Sequence, residues 1–470
     1  MSSGGPPLPS ACETVRRVAT GEQSPVEVIE TALRRVEALS PTINAMVTLS
    51  DTAMDQARDL EARLRSGEEA GPLCGLPVGI KDVTPVRGLR HTYGSTLYAD
   101  NIAEVDAVVV QRLRDAGAII LGKTNTPEFA TGANTFNEVF GATRNPWNPD
   151  LSAGGSTGGG AAALATGMID IAEGTDLGGS LRIPASFCGV VGMRPTPGLV
   201  PTWPSDYPWD TLQVTGLMAR TAEDLALALQ AVAGPSPFIP IGESMEYRDF
   251  VDLVQSRPVN GMRLAYCADI ASIGIDPEVD RVCREAIDAL ANAGASVEEI
   301  DLDLSYARSA FLALRGYWMV ARQHARLERR VEFGDNLRGN VEAGLETTAM
   351  EFAAAEQVRG RLWEQFRQLF RHFDHLLTPT MAIPPFTVEQ NYPETIAGKP
   401  METYIDWVAP TFLLSLAGLP VASVPAGLDA SGLPVGLQIV AGPGGEGHAL
   451  SAAAAVQGLR PIGAPTLLGA

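Results

Sequence analysis

Lysine is nearly absent. Of 35 basic residues in the 470-residue chain, only Lys81, Lys123 and Lys399 are lysines. A lysine kept in so arginine-biased a sequence favours a position that needs an ammonium able to lose its proton, which a guanidinium cannot do. The plain alternative is a solvated side chain. Cysteine is sparse and odd in number: Cys12, Cys74, Cys188, Cys267 and Cys283, with no CxxC pair. That excludes a disulfide framework and a zinc-site pattern. Positive charge is in deficit, with a formal net charge of −20. A nucleic-acid binder needs a cationic surface to displace condensed counterions, so direct DNA or RNA binding is disfavoured, as is docking on anionic lipid. Strongly anionic substrates are disfavoured too, unless a local basic pocket overrides the global charge. Long apolar runs are missing. The longest uncharged stretch, Trp407 to Leu428, contains Pro410, Pro420 and Pro425 and reads as buried core rather than a membrane helix. Met1 to Ala11 has no basic residue and no apolar run, so no signal peptide is expected. The expectation is a soluble cytoplasmic protein.

What is present is alternation. Ser24-Pro25-Val26-Glu27 is a capping box with proline at the first helical position, followed by Val26, Ile29, Leu33 and Val36 at helical spacing. A helix near Thr52–Ser66 leads to a strand near Leu76–Ile80. A helix near Asp106–Ala116 leads to a strand at Ala118–Leu121. The small-residue stretch Ala161–Thr166 predicts a helix, and Met168–Ala172 a strand ending in Gly174-Thr175-Asp176. Such alternation argues for α/β architecture. The expectation is one large α/β/α domain over residues 1–470, with a central mixed, largely parallel twisted sheet. Residues 240–400 are richer in helix and charge and predict a helical insertion covering part of the substrate pocket. Thr348-Ala349-Met350-Glu351 is a second capping box. The near-3.6 period after it runs through Phe373, with the helix stopping before Pro379. Strands return at Val421–Val424 and Val435–Val440.

Four motifs carry chemistry. Gly117 to Thr124 fits the phosphate-loop pattern GxxxxGK[ST], but its variable positions are an apolar β run and no helix follows, so nucleotide binding is rejected. Gly154-Gly155-Ser156-Thr157-Gly158 fits the GxSxG nucleophile elbow, yet Asn148 to Ala153 before it is loop-like rather than an apolar strand. An elbow would also need a downstream histidine; His372 and His375 flank the expected helix end and suit capping of its carbonyls better. Gly174 to Pro184 holds Gly178-Gly179-Ser180, where consecutive amides can converge on one point and give a serine an oxyanion hole; a glycine-rich turn with Ser180 as a helix cap fits equally well. Gly75 to Asp82 places Lys81 at the end of an apolar strand. Burial would lower its pKa and make it a general base, whereas pairing with Asp82 would raise it.

Taken together, Lys81, the segment around Ser156 and Thr175-Asp176-Leu177-Gly178-Gly179-Ser180 resemble the amidase signature family. The serines stand 24 residues apart, as in that family. The resemblance continues through Ile183 to Gly192, Asp210-Thr211-Leu212, Gly216 to Arg220 and Gly432 to Gln438. It implies a Ser–cis-Ser–Lys triad, with Ser180 the nucleophile, Lys81 the base and Ser156 bridging them on a cis peptide. The implied oxyanion hole is the amides of Leu177, Gly178, Gly179 and Ser180. Thr175, Asp176 and Arg182 match positions that brace the loop. Thr157 replaces the usual second serine, Leu177 a Thr or Ile, and Arg194 a lysine.

The reading is therefore an amide-bond hydrolase needing no metal or organic cofactor, with activity on esters and carbamates expected. Its partner is a small-molecule amide, ester or carbamate, and it is a monomer or homodimer with no nucleic-acid or membrane partner. Trp203, Tyr207 and Trp209 in the proline-rich segment 201–209 could line a pocket for neutral aryl or apolar groups; a surface loop is the alternative. Two rivals remain. The A-component of a tRNA-dependent amidotransferase usually carries Gln where this chain has Ile183. A non-catalytic binding protein on the same scaffold would need a broken triad.

Overall fold

The computed structural model describes residues 8–242, 249–256, 259–465 and 467. Eleven strands form one sheet. From edge to edge they run Met46–Leu49, Ile119–Thr124, Pro77–Lys81, Ile171–Asp176, Val214–Ala219, Val191–Arg194, Val421–Leu428, Pro434–Ala441, His375–Pro379, Arg263–Tyr266 and Ser296–Glu299. Helices cover both faces. Along Ile119-Ile120-Leu121, Ile120 enters one core while Ile119 and Leu121 enter another, as the two-residue strand period requires. With both faces buried, such strands read as continuous apolar runs. Among the described residues no helix is long and apolar enough to cross a membrane.

The sheet is mixed, as expected, but parallel pairing is confined to its flanks. Pro77–Lys81 runs parallel to both its neighbours, and Arg263–Tyr266 to both of its own. The six other strand pairs are antiparallel. Helix–strand alternation in sequence does not register hairpins. One joins Val421–Leu428 to Pro434–Ala441 through a turn in which the Asp429 carboxylate accepts the amides of Ser431 and Leu433.

Residues 240–400 are not helical cover alone. Arg263–Tyr266, Ser296–Glu299 and His375–Pro379 build one end of the main sheet. The helices Arg308–Gln323, Asp335–Glu346 and Ala349–Leu369 lie between these strands in sequence. The last begins at the predicted Thr348 capping box but ends at Leu369, short of Phe373. His375 is therefore a buried strand residue, not a helix cap. The Ser24 capping box starts the helix Pro25–Ile43 as read from sequence.

The helix Gly158–Ala165 is buried throughout. It packs so close to the sheet that a Cβ on Gly159 would lie 2.3 Å from the Asn125 backbone nitrogen. Small residues there let the preceding loop, with Ser156, sit against the strand ends.

Candidate active site

Three elements converge. Lys81 is the last residue of the strand Pro77–Lys81. Ser156 lies in the loop before the helix Gly158–Ala165. Ser180 lies in the turn between the strand Ile171–Asp176 and the helix Arg182–Cys188. The Gly155–Ser156 peptide is cis. Lys81 Nζ is 2.7 Å from Ser156 Oγ, 3.0 Å from Thr157 Oγ1 and 3.1 Å from Thr175 Oγ1. Thr157, a departure from the usual serine, thus supplies its hydroxyl to the lysine. Thr175 does the same, in place of a purely bracing role.

Lys81 is wholly buried, and burial lowers its pKa to about 7 against the opposing pull of Glu173 and Asp176. Its three amine partners are hydroxyls, which can accept or donate. A neutral amine, with two N–H groups and one lone pair, satisfies that set without a counter-ion. Asp82 does not pair with it. The Asp82 carboxylate accepts from the Thr92 amide and hydroxyl and stands 3.4 Å from Lys123 Nζ. Lys123, from the rejected phosphate-loop match, is itself fully buried and donates to the Thr84 carbonyl.

Glu173 is the group that sequence reading missed. Its two oxygens accept from the Lys81 amide at 3.1 Å and the Thr84 hydroxyl at 2.8 Å. Burial pushes its pKa up to about 7, against Thr84, Lys81 and Lys123. The only sequence signal was an acidic residue inside an apolar strand.

The turn holding Ser180 is tied down by a buried ion-pair network. The Arg182 guanidinium meets Asp176 at 2.9 and 3.1 Å and also reaches Gln438, the Thr411 carbonyl and Ser415. Arg194, where the resemblance puts lysine, donates to the Asp176 carbonyl at 2.5 Å. Burial alone would raise Asp176, but the two arginines hold it at about 2. One expected oxyanion donor is corrected. The Gly179 amide donates to Asp176 Oδ1 at 2.9 Å and is not available. Its φ of +123° turns it that way, and a Cβ there would lie 2.3 Å from Thr411 Oγ1. Among the described residues, the amides of Leu177, Gly178 and Ser180 meet no acceptor.

Ser156 and Ser180 line one cavity with Leu177, Gly178, Ile183, Phe311, Trp318 and Met319; Arg315 and Tyr404 also face it. The helix Arg308–Gln323 thus supplies much of its wall. None of the five histidines lines it. His91 stays neutral, its pKa lowered to about 3 by burial and by Lys123.

The aromatic segment divides. Trp203 lines an antechamber that shares Ala130, Thr175, Gln213 and Trp318 with the cavity holding Ser156 and Ser180. Tyr207 lines a further recess, which shares Thr202, Ser205 and Gln213 with the antechamber, and packs edge-on against Tyr317. Trp209 is 65% exposed and lines neither the cavity nor the antechamber. It precedes a turn in which Asp210 accepts the amides of Leu212 and Gln213.

Residues 27–450 match the model of the family described as Amidase. The chain is 36% identical over 459 residues to an acylamidase of Rhodococcus erythropolis, covering 96% of this chain and 95% of that one. It is 34% identical over 482 residues to the A-component of the glutamyl-tRNA(Gln) amidotransferase of Carboxydothermus hydrogenoformans, covering 95% and 96%. The crystal structure of a bacterial aryl acylamidase belonging to the amidase signature enzymes superposes with a TM-score of 0.90 at 29% identity, covering 97% of each chain. A match spanning nearly the whole chain, at both levels, means that the chain belongs to the amidase signature family and is an enzyme acting on amides.

Proposed function

We propose that this enzyme hydrolyses amides that are apolar or aryl, and neutral, around the scissile bond, through an acyl-enzyme on Ser180. The observation that carries the reading is the buried Lys81 amine facing only hydroxyls, 2.7 Å from Ser156. Neutral Lys81 takes the Ser156 proton as Ser156 takes that of Ser180. Ser180 attacks the carbonyl carbon. The amides of Leu177, Gly178 and Ser180 receive the developing oxyanion, a role worth most in a site shielded from water. The proton then returns through Ser156 to the departing amine, and the C–N bond breaks. Water, deprotonated along the same path, releases the acid and restores Ser180. Esters and carbamates (urethanes) present a similar carbonyl and are further substrates. The apolar wall of Leu177, Ile183, Phe311, Trp318 and Met319 supports aryl or alkyl groups beside the reacting carbon.

The test is a panel offered to the purified chain alone: acyl anilides, aryl esters, aryl carbamates and charged aliphatic amides. Anilide hydrolysis without partner chains is the expected result, and it separates this reading from an amidotransferase component and from a non-catalytic scaffold. Charged aliphatic amides greatly outrunning anilides would overturn the apolar preference.

A further inference from the structure

Among the described residues three arginines are buried, Arg182, Arg194 and Arg315, and the first two are paired with a carboxylate. Both contact Asp176, and the part-buried Arg220 likewise contacts Asp170. Arg315 is only 6% exposed and lines the catalytic cavity with Ser156 and Ser180. Among the described residues it has no carboxylate partner. Its single hydrogen bond is donated to the Tyr404 hydroxyl, whose ring also lies 5.4 Å from the guanidinium carbon. That phenol oxygen accepts from Asn340 Nδ2 at 2.7 Å as well, so its lone pairs are used. A guanidinium carries five N–H groups. The other four make no hydrogen bond among the described residues, and the side chain lines the cavity.

An unpaired buried charge is costly, and an arginine fork fits a carboxylate in bidentate geometry. We propose that the substrate carries a carboxylate away from the scissile bond and that Arg315 binds it. This rests on the amide-hydrolase reading and adds a specificity residue to it. The approach is consistent. Arg322 and Arg326, seven and eleven positions further on, line the adjoining antechamber. Arg326 is offset by Asp206 at 3.6 Å, whereas Arg322 donates to Ser205 Oγ at 2.9 Å and stacks over Trp318. A local cationic path thus opposes the net charge of −20.

The carboxylate could sit on the acyl or the amine side, and two substrate pairs separate these. N-phenylsuccinamate is compared with butyranilide, and 4-acetamidobenzoate with acetanilide. For each pair the readout is the ratio of kcat/KM, charged over neutral, in the wild type and in Arg315→Met. A ratio cancels any common loss from misfolding. The expected result is a fall of about tenfold or more in at least one ratio. Arg315→Lys should fall less. Ratios that both change by less than tenfold in Arg315→Met would overturn the proposal. A wild-type chain that cleaves none of the four anilides would instead count against the amide-hydrolase reading itself.

Discussion

Asp82 is the neighbour of Lys81 in sequence, yet it pairs with Lys123, 3.4 Å away, and both partners are shut off from solvent. That diversion removes the counter-ion that would hold Lys81 charged. It leaves desolvation as the largest influence on the amine. The Thr92 amide and hydroxyl fix the carboxylate in its diverted position.

The first prediction is a pH limb. Lys81 is lowered to about 7, and in the proposed mechanism its neutral form is the base, so activity should fall as pH drops through that region and level off above it. Glu173 is raised into the same range, so the limb belongs to the pair. Lys81→Ala should lose several orders of magnitude in anilide turnover and lose the limb. Reactive aryl esters should suffer less, because their leaving groups need less protonation. Lys81→Arg should not rescue, since guanidinium stays charged. Near wild-type anilide hydrolysis by Lys81→Arg would make Lys81 a structural cation.

Glu173 sets where that limb falls. Its negative charge raises the Lys81 pKa against burial. Glu173→Gln removes the charge while keeping one acceptor for the Lys81 amide or Thr84. The limb of kcat/KM should therefore move to lower pH, with the alkaline plateau preserved in shape. A loss of activity with no displacement of the limb would reduce Glu173 to a packing role.

The strand-end lysine, the two serines and the glycine turn were legible because each motif is contiguous. Lys81 ends an apolar run, and Gly178-Gly179 announces a tight turn. What sequence could not give was orientation. Nothing local says that the Gly179 amide turns to Asp176 while its neighbours face the cavity. The partner of Asp82 lies 41 positions away, on the next strand, and became a neighbour only through parallel pairing of Pro77–Lys81 with Ile119–Thr124. The scarcity of lysine was the better clue, since two of the three are fully buried here. The pocket wall was legible only in part, Trp203 lining the antechamber rather than the cavity beside Ser180. Trp203, Tyr207 and Trp209 are near Ser180 in sequence, but Phe311, Trp318 and Met319 reach it through the fold.

Lys123 should matter more for stability than for chemistry. Lys123→Met leaves the buried Asp82 carboxylate without its cation, and removing one member of such a pair costs roughly 3–5 kcal/mol. Denaturant unfolding should show that loss. Adding Asp82→Asn should recover part of it, because the neutral amide can still accept from Thr92. If Lys123→Met unfolds at the wild-type midpoint, the pair does not hold this strand end.

The last prediction distinguishes the serines. Sequence pattern favours Ser156, which stands in GxSxG, whereas geometry favours Ser180. Ser156 is fully buried and its hydroxyl is engaged by Lys81. Ser180 is half-buried on the cavity wall, with its own amide and those of Leu177 and Gly178 unoccupied. A fluorophosphonate needs both a nucleophile and a place for its oxygen, and only the second serine has both. Peptide mass mapping should find the adduct on Ser180, and Ser180→Ala should abolish labelling. Ser156→Ala should keep the nucleophile but interrupt the proton path, lowering kcat by roughly 10²–10⁴ and slowing labelling without moving it. The amine-release half of the cycle should suffer most, so anilides should lose more than activated esters. An adduct on Ser156 alone in the wild-type protein would reverse the two roles.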